Sequence, residues 1–205
     1  MKAITLILAL AALVTPLRAE DPAFRPLFNG NDFSGWLNTK GYSYEDGSVV
    51  SSRKSGVMAT EASFSNYILE FEFKLTPNAN NGIGIHYSGG GNPAHNGMEI
   101  QILDDTGNKH KKLKDNQYHG SLYFFQAAKK GFLKPVGEWN LERIEVNGKT
   151  VTVILNGTEI LNADLDELAK SNEKHLGIKR RNGHIALFGH DSVVAFRNMR
   201  IAELP

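Results

Sequence analysis

The stretch Asn96-Gly97-Met98-Glu99-Ile100-Gln101-Ile102-Leu103-Asp104-Asp105 places a carboxylate and an amide two residues apart. In an extended chain that spacing projects Glu99 and Gln101 from one face. Glu99 can act as acid, base or metal ligand, and Gln101 can donate to and accept from hydroxyl groups. The pair suits a polyhydroxylated substrate such as a sugar. The same alternation also accounts for both as polar residues turned to water. Glu99 has no acidic residue two or four positions away, and Asp104 and Asp105 fall at the strand end. Ordinary glycoside hydrolysis, which needs two facing carboxylates, is therefore weakly signalled.

Histidines extend the candidate set. Alternation sets His86 opposite Ile83, Ile85 and Tyr87, and groups His119 with Ser121 and Tyr123. His190 follows the strand that ends at Phe188. Each also reads as an ordinary surface or packing histidine. His95 and His110 stand in polar loops. No His-x-His or His-Glu-x-x-His spacing marks a metal centre, so a divalent cation would need ligands from distant residues. In Lys134-Pro135-Val136-Gly137-Glu138-Trp139-Asn140 the indole of Trp139 can stack on a sugar ring or close the core at a strand entry. Trp36 has the same two readings, with the core favoured.

Several chemistries are excluded. The chain has no cysteine, hence no thiolate nucleophile, thiolate metal site or disulfide. It has no G-x-S-x-G elbow, P-loop or dinucleotide fingerprint. Gly89-Gly90-Gly91 reads as a loop without a following helix, not as a phosphate cradle. Twenty-three basic and 22 acidic residues leave a formal charge of +1, which argues against a nucleic-acid footprint or a polybasic membrane patch.

The elements that must hold these residues read as short strands between turns, with no linker, repeat or low-complexity tract. In 67–75, Tyr67, Leu69, Phe71, Phe73 and Leu75 share one face, and Ile68, Glu70, Glu72 and Lys74 the other. Further strands are expected at 48–52, 55–59, 83–87, 97–103, 121–125, 141–146, 150–155, 158–161, 183–188 and 193–204. Asn147-Gly148 and Asn156-Gly157 predict hairpin turns with positive φ. Residues 165–170 are the one expected helix, capped by Asn162 or Asp164. This pattern predicts an all-β sandwich or barrel.

At the N-terminus, Lys2, an apolar run from residue 3 to 14, Pro16 and Leu17-Arg18-Ala19 follow the layout of a secretory signal peptide with cleavage after Ala19. The run is about a dozen residues, short of the roughly 20 a spanning helix needs. An exported, periplasmic or secreted protein is expected, with residues 1–19 as leader, one domain at 24–204 and no membrane-spanning segment after cleavage.

Taken in order, several segments resemble the 3-keto-disaccharide hydrolase family. Leu27-Phe28-Asn29-Gly30-Asn31-Asp32-Phe33-Ser34-Gly35-Trp36 resembles its opening motif. Residues 96–104, 134–140 and Leu155-Asn156-Gly157 resemble its central motifs, and residues 183–190 and 196–201 its closing ones. The resemblance spans residues 24–204. It implies a concanavalin A-like lectin/glucanase jelly-roll sandwich of two antiparallel sheets. It also implies exported proteins that act on sugars oxidised at C3. Carried over by motif, Glu99, Gln101 and Asp104 would line a concave cleft, with Lys134, Glu138, His190 and Arg197 near it. Two positions depart from the family pattern: relatives often carry an arginine near His86, and a glutamine where Phe188 stands.

The implied chemistry needs no carboxylate pair. A C3 ketone acidifies the C2 proton; a base removes it, the C1 oxygen leaves, and water adds to the enone. The reaction requires one base, one acid and donors to the enolate. A histidine or Glu99 can be the base; His119, His190 or Tyr123 the acid. Lys134, Arg197 or a divalent cation can stabilise the enolate. The expected partner is an oligosaccharide or glycoside. A non-catalytic carbohydrate-binding module and a two-carboxylate glycosidase using Glu99 with Asp104 or Glu138 are the alternatives.

Overall fold

The computed structural model describes residues 23–205, so the expected leader lies outside the described residues. Two antiparallel sheets face each other across one core. The chain runs through β1 (Arg25–Pro26), β2 (Trp36–Leu37), β3 (Tyr42–Glu45), β4 (Ser48–Ser51), β5 (Val57–Thr60), β6 (Tyr67–Leu75) and β7 (Asn80–Tyr87). It continues through a short helix α1 (Pro93–Asn96), β8 (Met98–Leu103), β9 (Trp139–Asn147), β10 (Thr150–Leu155) and β11 (Thr158–Asp164). Helix α2 (Leu165–Lys170), β12 (His184–Phe188) and β13 (Val194–Glu203) complete it. One sheet is ordered β11-β10-β9-β6-β13-β4-β3, with β1 also on β13; the other is β2-β5-β12-β7-β8.

Strand alternation builds the core. Tyr67, Leu69, Phe71 and Phe73 of β6 are sealed against Met98, Ile100 and Ile102 of β8 and Ile83 and Ile85 of β7. Fully burying each such side chain stabilises by about 1.5–3 kcal/mol. Asn156 (φ 50°) and Gly157 (φ 86°) form the expected hairpin with two left-handed residues. The other hairpin turns at Gly148-Lys149 instead. There Asn147 still pairs with Thr150, and Gly148 alone takes positive φ. Asp164 caps α2 by accepting from the Asp166 and Glu167 N–H groups.

Two local expectations change. Residues 121–125 form no regular strand: Leu122 bridges Ile100, then the chain turns back so that Leu122 also bridges Gln126. The Gly/Asn/Pro loop after β7 contains α1, started by Pro93 and capped by the Asn92 side chain, which accepts from the Ala94 N–H. Among the described residues, no helix is long and apolar enough to cross a membrane.

Candidate active site

The outer face of the five-stranded sheet has a floor of glycines. Gly82 pairs with Gln101 and Gly84 with Glu99 across β7 and β8. A Cβ on Gly82 would collide with the Glu99 carboxylate, and one on Gly84 would meet the Phe188 ring at 2.7 Å. Here glycine is required for close approach rather than for its φ. The absent side chains let the Glu99 carboxylate lie flat across the neighbouring strand.

Glu99 is 3% exposed. Its Oε1 lies 3.3 Å from His190 Nε2. His190 remains open to water and stands edge-on to Phe188 with ring centroids 6.0 Å apart. The chain is left-handed at both His190 (φ 38°) and Asp191 (φ 53°), and such backbone strain gathers at functional sites. Glu99, His190 and Asp191 line a cleft of about 310 Å³, walled by Val57, Phe188 and the start of α1.

On the other side of Glu99 runs the 120–123 segment. The Tyr123 N–H donates to the Glu99 carbonyl (2.9 Å) and the Gln101 N–H to the Ser121 carbonyl (3.0 Å). With Leu122 in the core, Tyr123 is the cross-strand neighbour of Glu99 on the outer face. Its hydroxyl accepts from Gln117 Nε2 (2.9 Å), which leaves the phenolic hydrogen free to donate. The Gln117 carbonyl accepts from Gln101 Nε2 (3.3 Å), and Gln101 Oε1 is buried without a protein partner. Glu99 and His190 therefore meet at the cleft, and Gln101 and Tyr123 neighbour Glu99 on the same outer face.

Other sequence candidates do not join them. His86 has a left-handed backbone (φ 50°), and the β12–β7 register shifts beside it. That reverses the alternation, so His86 is interior and Tyr87 is outside. The imidazole reaches the Arg180 carbonyl (3.1 Å) and the Ser65 carbonyl (3.0 Å), edge-on to Tyr67. Burial holds its pKa below the ordinary histidine value, against two carbonyls that favour the charged form.

His119 also turns inward, because left-handed Gly120 (φ 73°) breaks the alternation with Ser121 and Tyr123. Its Nδ1 accepts from the Leu103 N–H (3.3 Å), which puts the ring proton on Nε2. That nitrogen lies 3.0 Å from Glu142 Oε2. The approach is close but off-line for a hydrogen bond, and neither Glu142 oxygen has another partner. Both side chains are sealed in the interior.

Asp104 is a loop staple. Its Oδ2 accepts from the Asn78 N–H (2.7 Å), and its Oδ1 from the Thr106 N–H (3.0 Å) and hydroxyl (2.6 Å). Trp139 and Arg197 face outward from the opposite sheet. There the Arg197 guanidinium lies 4.0 Å from the indole centroid and donates to Glu72 (2.7 Å), and Lys74 covers the indole at 4.7 Å. Lys134 Nζ donates to the Trp139 carbonyl (2.9 Å). Glu138 is exposed in the turn entering β9. None of these five reaches the Glu99 cleft. Among the described residues, no group of three or more His, Asp or Glu side chains gathers to hold a metal ion. That donor set does not fit a resident divalent cation.

Sequence reasoning missed Asp191, Gln117, the glycine floor and the buried Glu142. The alternation of β9 carried a signal for Glu142, which shares the inner face with Ile144 and Val146.

A family described as the 3-keto-alpha-glucoside-1,2-lyase-like domain matches residues 23–202. A Bacteroides thetaiotaomicron protein named 3-keto-disaccharide hydrolase is 26% identical, over 94% of this chain and 82% of that protein. A provisionally assigned glycosyl hydrolase from Parabacteroides distasonis superposes with a TM-score of 0.79 at 26% identity, over 89% of this chain and 100% of that one. A Bacillus licheniformis beta-glucanase shares the fold alone, with a TM-score of 0.54 at 11% identity over 92% of this chain and 100% of that one.

Proposed function

The chain belongs to the 3-keto-alpha-glucoside-1,2-lyase-like family, and on that premise we propose that it cleaves the glycosidic bond of 3-keto-glycosides at Glu99 and His190. The carrying observation is the Glu99 carboxylate, buried over a glycine floor at a cleft and met by one side chain, the half-open His190. With one side-chain partner, the carboxylate keeps most of its hydrogen-bonding capacity for a substrate.

In this reading Glu99 takes the C2 proton beside the C3 ketone. The C–H pair passes first into the C2–C3 enolate; as the C3 carbonyl re-forms, that pair becomes the C1–C2 double bond, the C1–oxygen bond breaks, and His190 protonates the leaving oxygen. The Tyr123 hydroxyl, fixed by Gln117, donates to the enolate oxygen at C3. Water then adds its hydroxyl to C1 and its proton to C2, releasing a 3-keto sugar. Lys134 and Arg197 take no part, since both are engaged on the other sheet. We place the reaction outside the cytoplasm on the strength of the leader expected at 1–19 from the sequence. N-terminal sequencing of the mature protein checks this, and an intact residue 1 overturns it.

The test is a 3-keto-disaccharide carrying deuterium at C2. The reading expects it to be cleaved more slowly than the protium form. Equal rates, with cleavage of the unoxidised parent as well, support the second reading. That reading is two-carboxylate hydrolysis by Glu99 with Asp191, favoured by the presence of both in one cleft.

A further inference from the structure

Phe124 is an aromatic side chain held in the wrong backbone region and in the wrong solvent. Its φ is +73°. Among the described residues, the other left-handed non-glycine residues are all Asn, Asp or His, which tolerate that region; a bulky apolar residue there is an outlier that costs stability. Folding does not repay the cost by burial, because Phe124 is 45% exposed. Its backbone is nevertheless tied, with the carbonyl accepting from Asn116 Nδ2 (2.9 Å).

The ring is bracketed. Tyr123, the cross-strand neighbour of Glu99, lies with its centroid 4.3 Å away. His95 of α1 stacks at 5.6 Å and 25°. His95 is itself held against His175, whose Nε2 meets the Ala94 carbonyl (2.8 Å). Ala94 lines the Glu99 cleft. Tyr123, Phe124 and His95 thus form an aromatic row that runs from the cross-strand neighbour of Glu99 to α1, beside the cleft.

We propose that this row is the subsite for the leaving sugar, with the Phe124 ring stacked on the apolar C–H face of that residue. The ligand class is a glycosyl unit on the far side of the bond that Glu99 and His190 break, and the inference rests on the function proposed above. An exposed ring that already carries a strained backbone gains what folding withholds: a flat apolar partner to exclude water. Leaving groups without a ring face gain nothing from it.

The experiment measures binding in a Glu99→Gln background, so no turnover is required. The ligands are a 3-keto-disaccharide and the methyl 3-keto-glycoside of its oxidised sugar. Adding Phe124→Gly relieves the left-handed strain while removing the ring, so the melting temperature holds or rises. Covering roughly 50 Å² of apolar surface corresponds to about a tenfold affinity. The disaccharide Kd is expected to weaken about tenfold and the methyl glycoside Kd to stay unchanged. Phe124→Tyr, which keeps a ring, retains the disaccharide affinity. Equal weakening of both ligands, or an unchanged disaccharide Kd, overturns the subsite. If wild type cleaves nothing while this discrimination is seen, the chemistry fails and the subsite stands. If neither ligand binds, both fail.

Discussion

Among the described residues, two glutamate–histidine pairs stand in different surroundings. Glu99 and His190 meet at 3.3 Å beside a cleft, with the histidine open to water. Glu142 and His119 meet at 3.0 Å inside the sandwich, with both side chains sealed. The residue types are the same and the closer pair is the inaccessible one. Access, therefore, and not pairing, separates the two pairs. Glu99 has a floor without side chains and a face toward the cleft. Glu142 has core on every side. The outer face of the larger sheet shows a third arrangement. There Arg197 and Asn198 donate to Glu72, and Arg200 to Glu70, so each carboxylate is already satisfied.

The largest expected effect breaks the first pair. Glu99→Gln removes the proposed base and is expected to lower kcat/KM by about 10³-fold or more, the upper part of the general-base range, with the melting temperature retained. The second pair responds in the opposite sense. His119→Ala leaves Glu142 buried and unmatched and costs about 3 kcal/mol of stability in denaturant melts, with kcat per folded molecule changed little. Replacing both, as His119→Phe with Glu142→Leu, recovers part of that loss, because no buried polar group is then left alone. A rate loss from His119→Ala as large as that from Glu99→Gln would dissolve the distinction.

A smaller effect tests the floor. Gly82→Ala pushes the Glu99 carboxylate out of place and is expected to cost roughly 10–100-fold in kcat/KM, since displacements near an ångström act at this level. The smallest effect belongs to the far face. Arg197→Ala lowers the melting temperature only slightly, as solvent screens an exposed pair, and leaves the rate unchanged. Bonds from Arg197 hold the Glu72 pKa below the ordinary carboxylate value. The native state thus favours the charged form, and this stability is present above the unfolded value near 4.5 and is lost as pH falls through the lowered folded value. Melting temperatures from pH 6 to pH 3 should fall less steeply for Arg197→Ala than for wild type.

Where the backbone is regular, the sequence was a sufficient guide to facing. The alternation in β6 and β8 places Phe71 and Ile100 inside and Glu99 and Gln101 outside, as the structure has them. The same rule failed at His86 and His119 because one left-handed residue, His86 itself or Gly120, reverses the parity of its neighbours along the chain. No composition or spacing signals a left-handed histidine. Short β1, β2 and β3 were also illegible, since two to four residues carry too little pattern to read. The site was half legible. Glu99, Gln101, Tyr123 and His190 share motifs or strand faces that the sequence displays. Lys134, Trp139 and Arg197 looked close only because nearness in a motif series says nothing about which sheet faces which way.

The Glu99 cleft is proposed to cleave sugars oxidised at C3. The direct measurement incubates wild type and Glu99→Gln with a 3-keto-disaccharide and with its unoxidised parent, with and without added divalent metals, and quantifies the released sugar. Release from the keto form by wild type alone, and none from the parent, is the predicted result. No release from the keto form under any condition, or equal release by Glu99→Gln, would contradict it.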